Sequence, residues 1–402
     1  MGGFFSAKET ESQSRPDGKT YSCVSCGLHK ECESPKMKAF GNFKKKILNI
    51  GEAPGKEEDR VGKQWQGKTG KLLQQTYAKY GIDLFNDCLN INAVNCRPPD
   101  NRTPDNYEIG CCRKSILNLI AEKKPKVIVL LGNAAVYSLI GHRWKKDLGG
   151  INKWRGFTIP DQDFKAWICP IFHPSYVDRA ESKEVTTIWE QDIKQITEQV
   201  DEPFLNYAKA EVEIVEDLSK LKSINQYADI TFDYETTGLK PHAEGHRIIC
   251  SSVADSENHA YVFMMPKSRV ERQPFLDLLT NPNIGKIAHN MKFEDTWTTV
   301  RLRIQIQNWV HDTMIASHVL DNRPGITSLK FQAYINFGIV DYASEIAPYL
   351  QAIDPSNGNS LNRIQELLSK PRGRDDLLYY CGLDAIYEYR LAMKQRLNIL
   401  PF

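Results

Sequence analysis

Two groups of residues in this chain have the types and spacing for chemistry. In the first, an apolar run at Ile47–Ile50 leads into Gly51-Glu52-Ala53-Pro54-Gly55, followed by a flat aromatic, Trp65, and a glycine-flanked basic segment, Gly67-Lys68-Thr69-Gly70. A carboxylate, an aromatic plane and a basic loop at the carboxyl edge of a strand are the parts that hold a base and the phosphates beside it. In the second, Asp233 and Glu235 lie two apart within Asp229–Leu239, so a strand points both carboxylates to one face. Two carboxylates that close repel each other unless a cation lies between them. Phe232 and the apolar residues before it make this a buried strand, where uncompensated charge is costly.

Two further acidic segments follow. Ile287–Asp295 (IAHNMKFED) carries Glu294 and Asp295, and Tyr379–Asp384 (YYCGLD) carries Tyr380 and Asp384, four apart and on one face if helical. Carboxylates arriving from three segments suit two divalent cations about 4 Å apart, which clamp both oxygens of an in-line phosphoryl displacement, and Tyr380 is placed to orient the attacking water. A phosphate-loop pattern also occurs at Gly62–Thr69. That motif requires a strand running into its first glycine, whereas Gly62 follows Glu57-Glu58-Asp59-Arg60, whose carboxylates would repel a triphosphate; the nucleotide-hydrolase reading is set aside.

Ten cysteines are unevenly spread: Cys23, Cys26, Cys32, Cys88, Cys96, Cys111 and Cys112 all precede residue 113. In a chain without secretory features such clustering favours a metal or cluster site over disulfides. Cys23-Val-Ser-Cys26, in a Gly- and Lys-rich loop, supplies one half of such a site; Cys96 with Cys111 or Cys112 supplies the other. Four thiolates suit an iron–sulfur cluster or zinc. Between the cysteines, Leu89–Val94 alternates like a strand and presents Asn92, whose amide can donate to one base-edge atom and accept from the next. After the strand-like Trp167–Pro170 comes Phe172-His173-Pro174-Ser175-Tyr176, an extended turn of the kind that carries function.

These residues need a scaffold. At 402 residues the chain is expected to form two domains, each with its own core. Lys126–Leu131 reads as a buried strand leading to a helix at Gly132-Asn133, Thr186–Val200 as a closing helix, and 201–209 as a linker. A net charge of +2 hides a split: residues 1–200 hold 31 Lys/Arg against 24 Asp/Glu, leaving 21 against 26 for the second half. The basic half could face phosphates and the acidic half collect divalent cations. Residues 1–19 lack the apolar core of a signal peptide and read as a disordered lead-in, although Met-Gly-x-x-x-Ser opens a myristoylation pattern. No apolar run approaches the roughly 20 residues that span a bilayer, so a cytoplasmic protein without membrane contact is expected.

Residues 20–200 resemble a family 4 uracil-DNA glycosylase, the iron–sulfur branch of that superfamily. The matching pieces fall in the family's order: GEAPG at Gly51–Gly55, the GK-T-G-KLL segment ending at Leu73, Asn92–Pro99 with its CRPP, Asn101–Pro104, and HPSY at His173–Tyr176. The resemblance implies an α/β/α domain with a parallel sheet and a 4Fe–4S cluster on Cys23, Cys26, Cys96 and Cys112, with Cys111 displaced by one and Cys32 extra. It implies that Asn92 reads the uracil edge, Trp65 stacks on the flipped base, His173 hydrogen-bonds O2 as charge develops there, and Glu52 positions or activates water. Ser175 and Tyr176 would press into the groove the base leaves, and Glu58 would crowd the uracil C5 position against thymine. The family has Pro-Phe before Val-Gly where this chain has Gln64-Trp65-Gln66-Gly67, which predicts a larger and more polar pocket wall. Lys71-Leu72-Leu73 runs on as helix, without the inserted basic loop of a branch that traps DNA covalently.

The second half, from about Tyr207, resembles the 3′–5′ proofreading exonuclease domain of family A DNA polymerases, of the four-carboxylate-plus-tyrosine class. The carriers are Asp233-Tyr234-Glu235-Thr236-Thr237-Gly238-Leu239, the segment His289–Glu294, His311–Met314, and Tyr380 with Asp384. The resemblance implies an RNase H-like domain with a mixed sheet at 210–402, holding two Mg²⁺ or Mn²⁺ on Asp233, Glu235, Glu294 and Asp384. Glu294 stands where the family has Asp, and is taken as the ligand over Asp295 because it keeps register with Asn290 and Phe293. The expectation is a fusion that excises uracil from DNA and removes nucleotides from 3′-ended single strands. A domain that only grips DNA or senses uracil is the alternative for the first half. Because the chain ends after the third acidic motif, a separate DNA polymerase is the expected partner, and a bacteriophage replication apparatus would suit such a fusion.

Overall fold

A computed structural model describes residues 21–144, 147–340 and 342–399; the expected lead-in at 1–19 lies outside them. The chain divides between Leu205 and Asn206 into two compact units.

The first unit is a five-stranded sheet of β1 (Ile47–Gly51), β2 (Cys88–Asn92), β3 (Val127–Leu131), β4 (Ile159–Asp161) and β5 (Ala166–Ile171), in the order β2-β1-β3-β5-β4. The first three and β5 are parallel, and only β4 is antiparallel to its neighbour. Every residue of β1, β2, β3 and β5 is buried, as expected for parallel strands covered on both faces. The helix Lys183–Asp201 shows how a covering layer is specified. Ser182 Oγ caps it by accepting from the Val185 amide, and Trp189, Ile193, Ile196 and Val200 recur at helical spacing as its buried stripe. They pack with Val127, Val129 and Trp167, each contributing roughly 1.5–3 kcal/mol by burial. The strand expected to reach Val94 ends at Asn92, although the amides of Ala93 and Val94 still donate to the carbonyls of Gly51 and Glu52 at 2.8 and 3.0 Å.

The second unit is a six-stranded mixed sheet of β6 (Glu211–Ile214), β7 (Asp229–Thr236), β8 (Ile248–Ala254), β9 (His259–Met264), β10 (Gly285–Ala288) and β11 (Trp309–Asp312), ordered β11-β10-β7-β8-β9-β6. The β7–β8–β9 meander is antiparallel, and β6, β10 and β11 join in parallel. Across the sheet lies the helix Gly373–Ile399, buried on most of its surface. Two sheet hydroxyls fix its register: Thr231 Oγ1 donates to the Ala385 carbonyl at 2.7 Å, and Ser252 Oγ to that of Cys381 at 2.8 Å. Among the described residues no helix is long and apolar enough to cross a membrane.

Candidate active sites

In the first unit the parallel register sets Gly51 directly beside Asn92 where β1 and β2 end. A side chain at Gly51 would come within 2.4 Å of Asn92 Oδ1 and 3.1 Å of the Trp65 ring, so glycine is what lets the two meet. The cavity there has a volume of about 280 Å³, and Glu52, Glu58, Trp65, Asn92, His173 and Ser175 line it. Gly67, Lys68 and Tyr176 do not. Gly67 caps the helix Lys68–Lys79, Lys68 pairs with Asp178 at 2.8 Å, and Tyr176 is exposed, packed on Phe172.

His173 precedes the helix Pro174–Ala180, and its Nδ1 accepts from the Ser175 amide at 3.2 Å. Nδ1 also lies 2.7 Å from Ser175 Oγ; with Nδ1 accepting from the amide and the hydroxyl, a neutral ring carries its proton on Nε2. Burial, assisted by the Arg179 guanidinium, holds the imidazole down at about 4, so it is neutral at neutral pH. Burial pushes the Glu52 carboxyl upward, and Arg179 partly offsets this. Arg179 lines the same cavity and was missed from the sequence, although it lies four after Ser175 on one helix face.

Trp65 stands in the left-handed region at φ 61°, a conformation that costs a branched or bulky residue about 1–2 kcal/mol. Its indole N–H donates to Asn90 Oδ1 at 3.1 Å; Asn90 in turn takes the Asn49 amide at 2.9 Å, and Asn49 the Tyr77 hydroxyl at 2.9 Å. The ring centre lies 5.8 Å from that of His173. The glutamines behind the expectation of a more polar wall turn away from the cavity, whose lining nevertheless includes the polar Glu52, Asn92, Asn101 and Arg102. Neither glutamine lines the cavity: Gln64 donates to the Lys38 carbonyl and Gln66 to the Gln64 carbonyl. Glu58 lines it, but its Oε1 accepts the amides of both Gln66 and Gly67 at 2.8 Å, so this carboxylate pins the loop as well as bounding the cavity. Gly62 ends a helix, Lys56–Val61, with no strand running into it.

Cys23–Cys26 is a one-turn helix rather than a loop, because Ser22 caps its start and Gly27, at φ 79°, its end. Cys112, in the helix Asn106–Lys123, has the thiols of Cys26, Cys96 and Cys23 near enough to oppose its ionisation, and burial pushes it up to about 12. Burial likewise raises Cys26 and Cys96 to about 11. The Lys36 amide donates to Cys96 Sγ at 3.2 Å. Buried thiols that would repel as thiolates are stabilised by a cation among them, so the donor set fits a thiolate-bound metal centre. Cys111 neighbours Cys23, and Cys32 neighbours Cys96.

In the second unit, donor atoms of Asp233, Glu235 and Cys381 lie within 4.8 Å of one another, the one such trio among the described residues. Glu294, on the helix Met291–Trp297, has Asp233, Glu388 and Glu235 as charged neighbours. Asp295 points elsewhere and accepts from the Trp309 indole at 3.3 Å. Asp384 accepts from Lys330 at 2.6 Å and from the Tyr342 hydroxyl. Tyr380 lies one turn before Asp384, with the Lys330 ammonium 4.7 Å from its ring centre. Burial and the Asp384 charge push Asp233 up to about 8, and burial raises Glu235, Glu294 and Glu388 well above the carboxylate range. One buried oxygen each of Glu294 and Glu388 has no hydrogen-bond partner. Crowded, unsatisfied carboxylates fit divalent cations. Beside them opens a cavity of about 590 Å³ walled by Tyr234, Leu239 and Phe293. Glu388, Lys330 and Tyr342 were missed from the sequence. Glu388 had a signal in its place four after Asp384; Lys330 and Tyr342, brought in from 54 and 42 residues away, had none.

A parallel sheet with a base-sized cavity at its strand ends, followed by a mixed sheet bearing clustered carboxylates, defines a two-part nucleic-acid hydrolase architecture. Residues 38–194 match the uracil DNA glycosylase superfamily and residues 207–398 the 3′–5′ exonuclease family. The type-4 uracil-DNA glycosylase of Thermotoga maritima is 35% identical over 173 residues, 43% of this chain and 86% of that protein; that of Pyrobaculum aerophilum is 32% identical over 160 residues, 39% of this chain and 80% of that protein. The chain therefore belongs, through its N-terminal half, to the type-4 uracil-DNA glycosylase family. A DNA polymerase of Bacillus phage SP01 is 25% identical over 331 residues, covering 73% of this chain and 34% of the polymerase.

Proposed function

We propose that the protein is a bifunctional DNA-processing enzyme, excising uracil from DNA through residues 20–200 and removing 3′-terminal nucleotides through residues 210–402. The observation that carries the first activity is the lining of one cavity by Glu52, Trp65, Asn92 and His173. An extruded uracil would stack on Trp65 while the Asn92 amide reads its edge. As the glycosidic bond breaks, charge grows on the base, and the neutral His173 donates Nε2–H to O2. Glu52 orients the water that attacks the sugar. A single-uracil duplex incubated in EDTA and then treated with hot alkali is expected to break at the uracil. An intact strand leaves only the uracil-gripping reading.

For the second activity, two bound Mg²⁺ or Mn²⁺ would supply charge to the oxygens entering and leaving phosphorus. Asp233, Glu235, Glu294 and Asp384 would hold them, Tyr380 would orient the water, and Leu239 and Phe293 would flank the terminal base. In the first unit, Cys23, Cys26, Cys96 and Cys112 would hold a 4Fe–4S cluster that ties the first described turn to the sheet. Support comes from the buried, mutually neighbouring thiols of Cys26, Cys96 and Cys112. Purified protein is expected to be brown, Cys112→Ala to lose the visible absorbance and Cys111→Ala to keep it; colourless wild type carrying stoichiometric zinc overturns the cluster. The match across both halves to a phage polymerase supports a replicative setting, with a separate DNA polymerase as partner in a host cytoplasm. Joining the sites on one chain raises the effective concentration of each at DNA held by the other.

A further inference from the structure

Lys330 has a place in the nuclease centre that the hydrolytic scheme leaves unused. It sits in the first turn of the helix Leu329–Phe337. Its ammonium is 2.6 Å from Asp384 Oδ2, 4.7 Å from the ring centre of Tyr380 and 5.5 Å from that of Tyr342. The Tyr342 hydroxyl takes the other oxygen of Asp384, so each oxygen of this carboxylate already accepts a hydrogen bond. The side chain is 19% exposed, which leaves the pair little screened by water. Its positive charge is felt by Asp233, Glu235 and Glu388 as well as by His289.

The Lys330 ammonium thus acts on Asp233, Glu235, Asp384 and Glu388, and Glu294 neighbours three of these, so that among the described residues five carboxylates stand against this one ammonium. Two divalent cations added to that set bring the formal total to zero, so the lysine is part of the charge balance. It also stands in the way. A cation bound to Asp384 would sit beside a like charge held on the same carboxylate, and the two repel. We propose that Lys330 is a resident cation of the nuclease centre: its ammonium competes with one of the two divalent cations for Asp384. Asp384 stays on Lys330 until the second metal ion, with the phosphate of bound DNA, displaces it. Lys330 is thus a positioning residue acting through Asp384, and the proposal rests on the two-metal reading.

The test is Mn²⁺ binding to the full chain, followed by electron paramagnetic resonance and calorimetry, with Asp233→Ala marking which ions belong to this centre. Wild type is expected to bind one Mn²⁺ at least tenfold more tightly than the second, on the order of the difference one displaced charge makes. Lys330→Met should tighten the second ion about tenfold, and Lys330→Arg, which keeps the positive charge, should leave the second ion weaker than the first. A Lys330→Met isotherm identical to wild type overturns the role of Lys330 while leaving the metal centre standing. No Mn²⁺ bound by wild type overturns the two-metal reading and the proposal together. Should Lys330→Met fail to fold, the side-chain ammonium signal of Lys330 in ¹⁵N-lysine wild type decides, assigned by its loss in Lys330→Arg. It must move as Mg²⁺ fills the second site, and a signal unmoved at saturation overturns the proposal.

Discussion

Replacing Asp233 with alanine is expected to slow metal-dependent digestion of single-stranded DNA by about a thousandfold and to leave uracil excision unchanged. Asp233 is the first charged neighbour of Glu235, Glu294 and Glu388. Losing a ligand common to the cation cradle removes several kcal/mol of transition-state charge stabilisation, which is about three decades of rate. A misfolded variant is told apart by the sign of the stability change. In metal-free protein Asp233 is raised from its ordinary 3.8 to about 8 by burial and by Asp384. Its ionisation therefore opposes folding, and metal-free wild type should lose stability as pH rises from about 4 to 8. Asp233→Ala should flatten that loss and melt no earlier than wild type, while forfeiting the stabilisation that Mg²⁺ gives by mass action. A variant that digests DNA at the wild-type rate removes Asp233 from the centre.

His173→Ala should cost uracil excision about 100- to 1000-fold, the usual toll for one preorganised donor at a developing oxyanion, with exonuclease activity intact. The tautomer is the reason. With Nδ1 taken by the Ser175 amide, the single ring proton of a neutral imidazole points from Nε2. Because burial keeps this ring neutral down to about pH 4, the acid limb of the excision profile should come from Glu52, whose carboxyl burial raises. Measured from pH 4 to 8, the alanine variant should show a lower rate with the acid limb in the same place. A limb that moves with His173→Ala would reassign the titrating group.

Much of this architecture is legible in the residues. Val127–Leu131 is a continuous apolar run and becomes a fully buried parallel strand; Asp233 and Glu235 alternate with buried Phe232 and Tyr234 and so share a face. Cys112 follows Cys96 on a helix whose capping box, Asp105 with Glu108, is written in the chain. What the sequence hides are partners chosen by the fold. The glutamines beside Trp65 read as a polar pocket wall, yet carbonyls at Lys38 and Gln64 draw them away. The indole of Trp65 finds Asn90, on a neighbouring strand, through the loop's left-handed turn. Lys330 and Tyr342 come to Asp384 from loops and helices with no local pattern to announce them.

The pairing of Lys68 with Asp178 also bears on how DNA first meets the glycosylase unit. Lys68 lies at the head of its helix, where a free ammonium would draw phosphates from a distance, but Asp178 cancels its charge at 2.8 Å. A neutral pair casts almost no field beyond a Debye length of about 8–10 Å. Under the proposed function, long-range steering of DNA would fall to other basic residues, and Lys68 would reach a phosphate only by giving up this carboxylate.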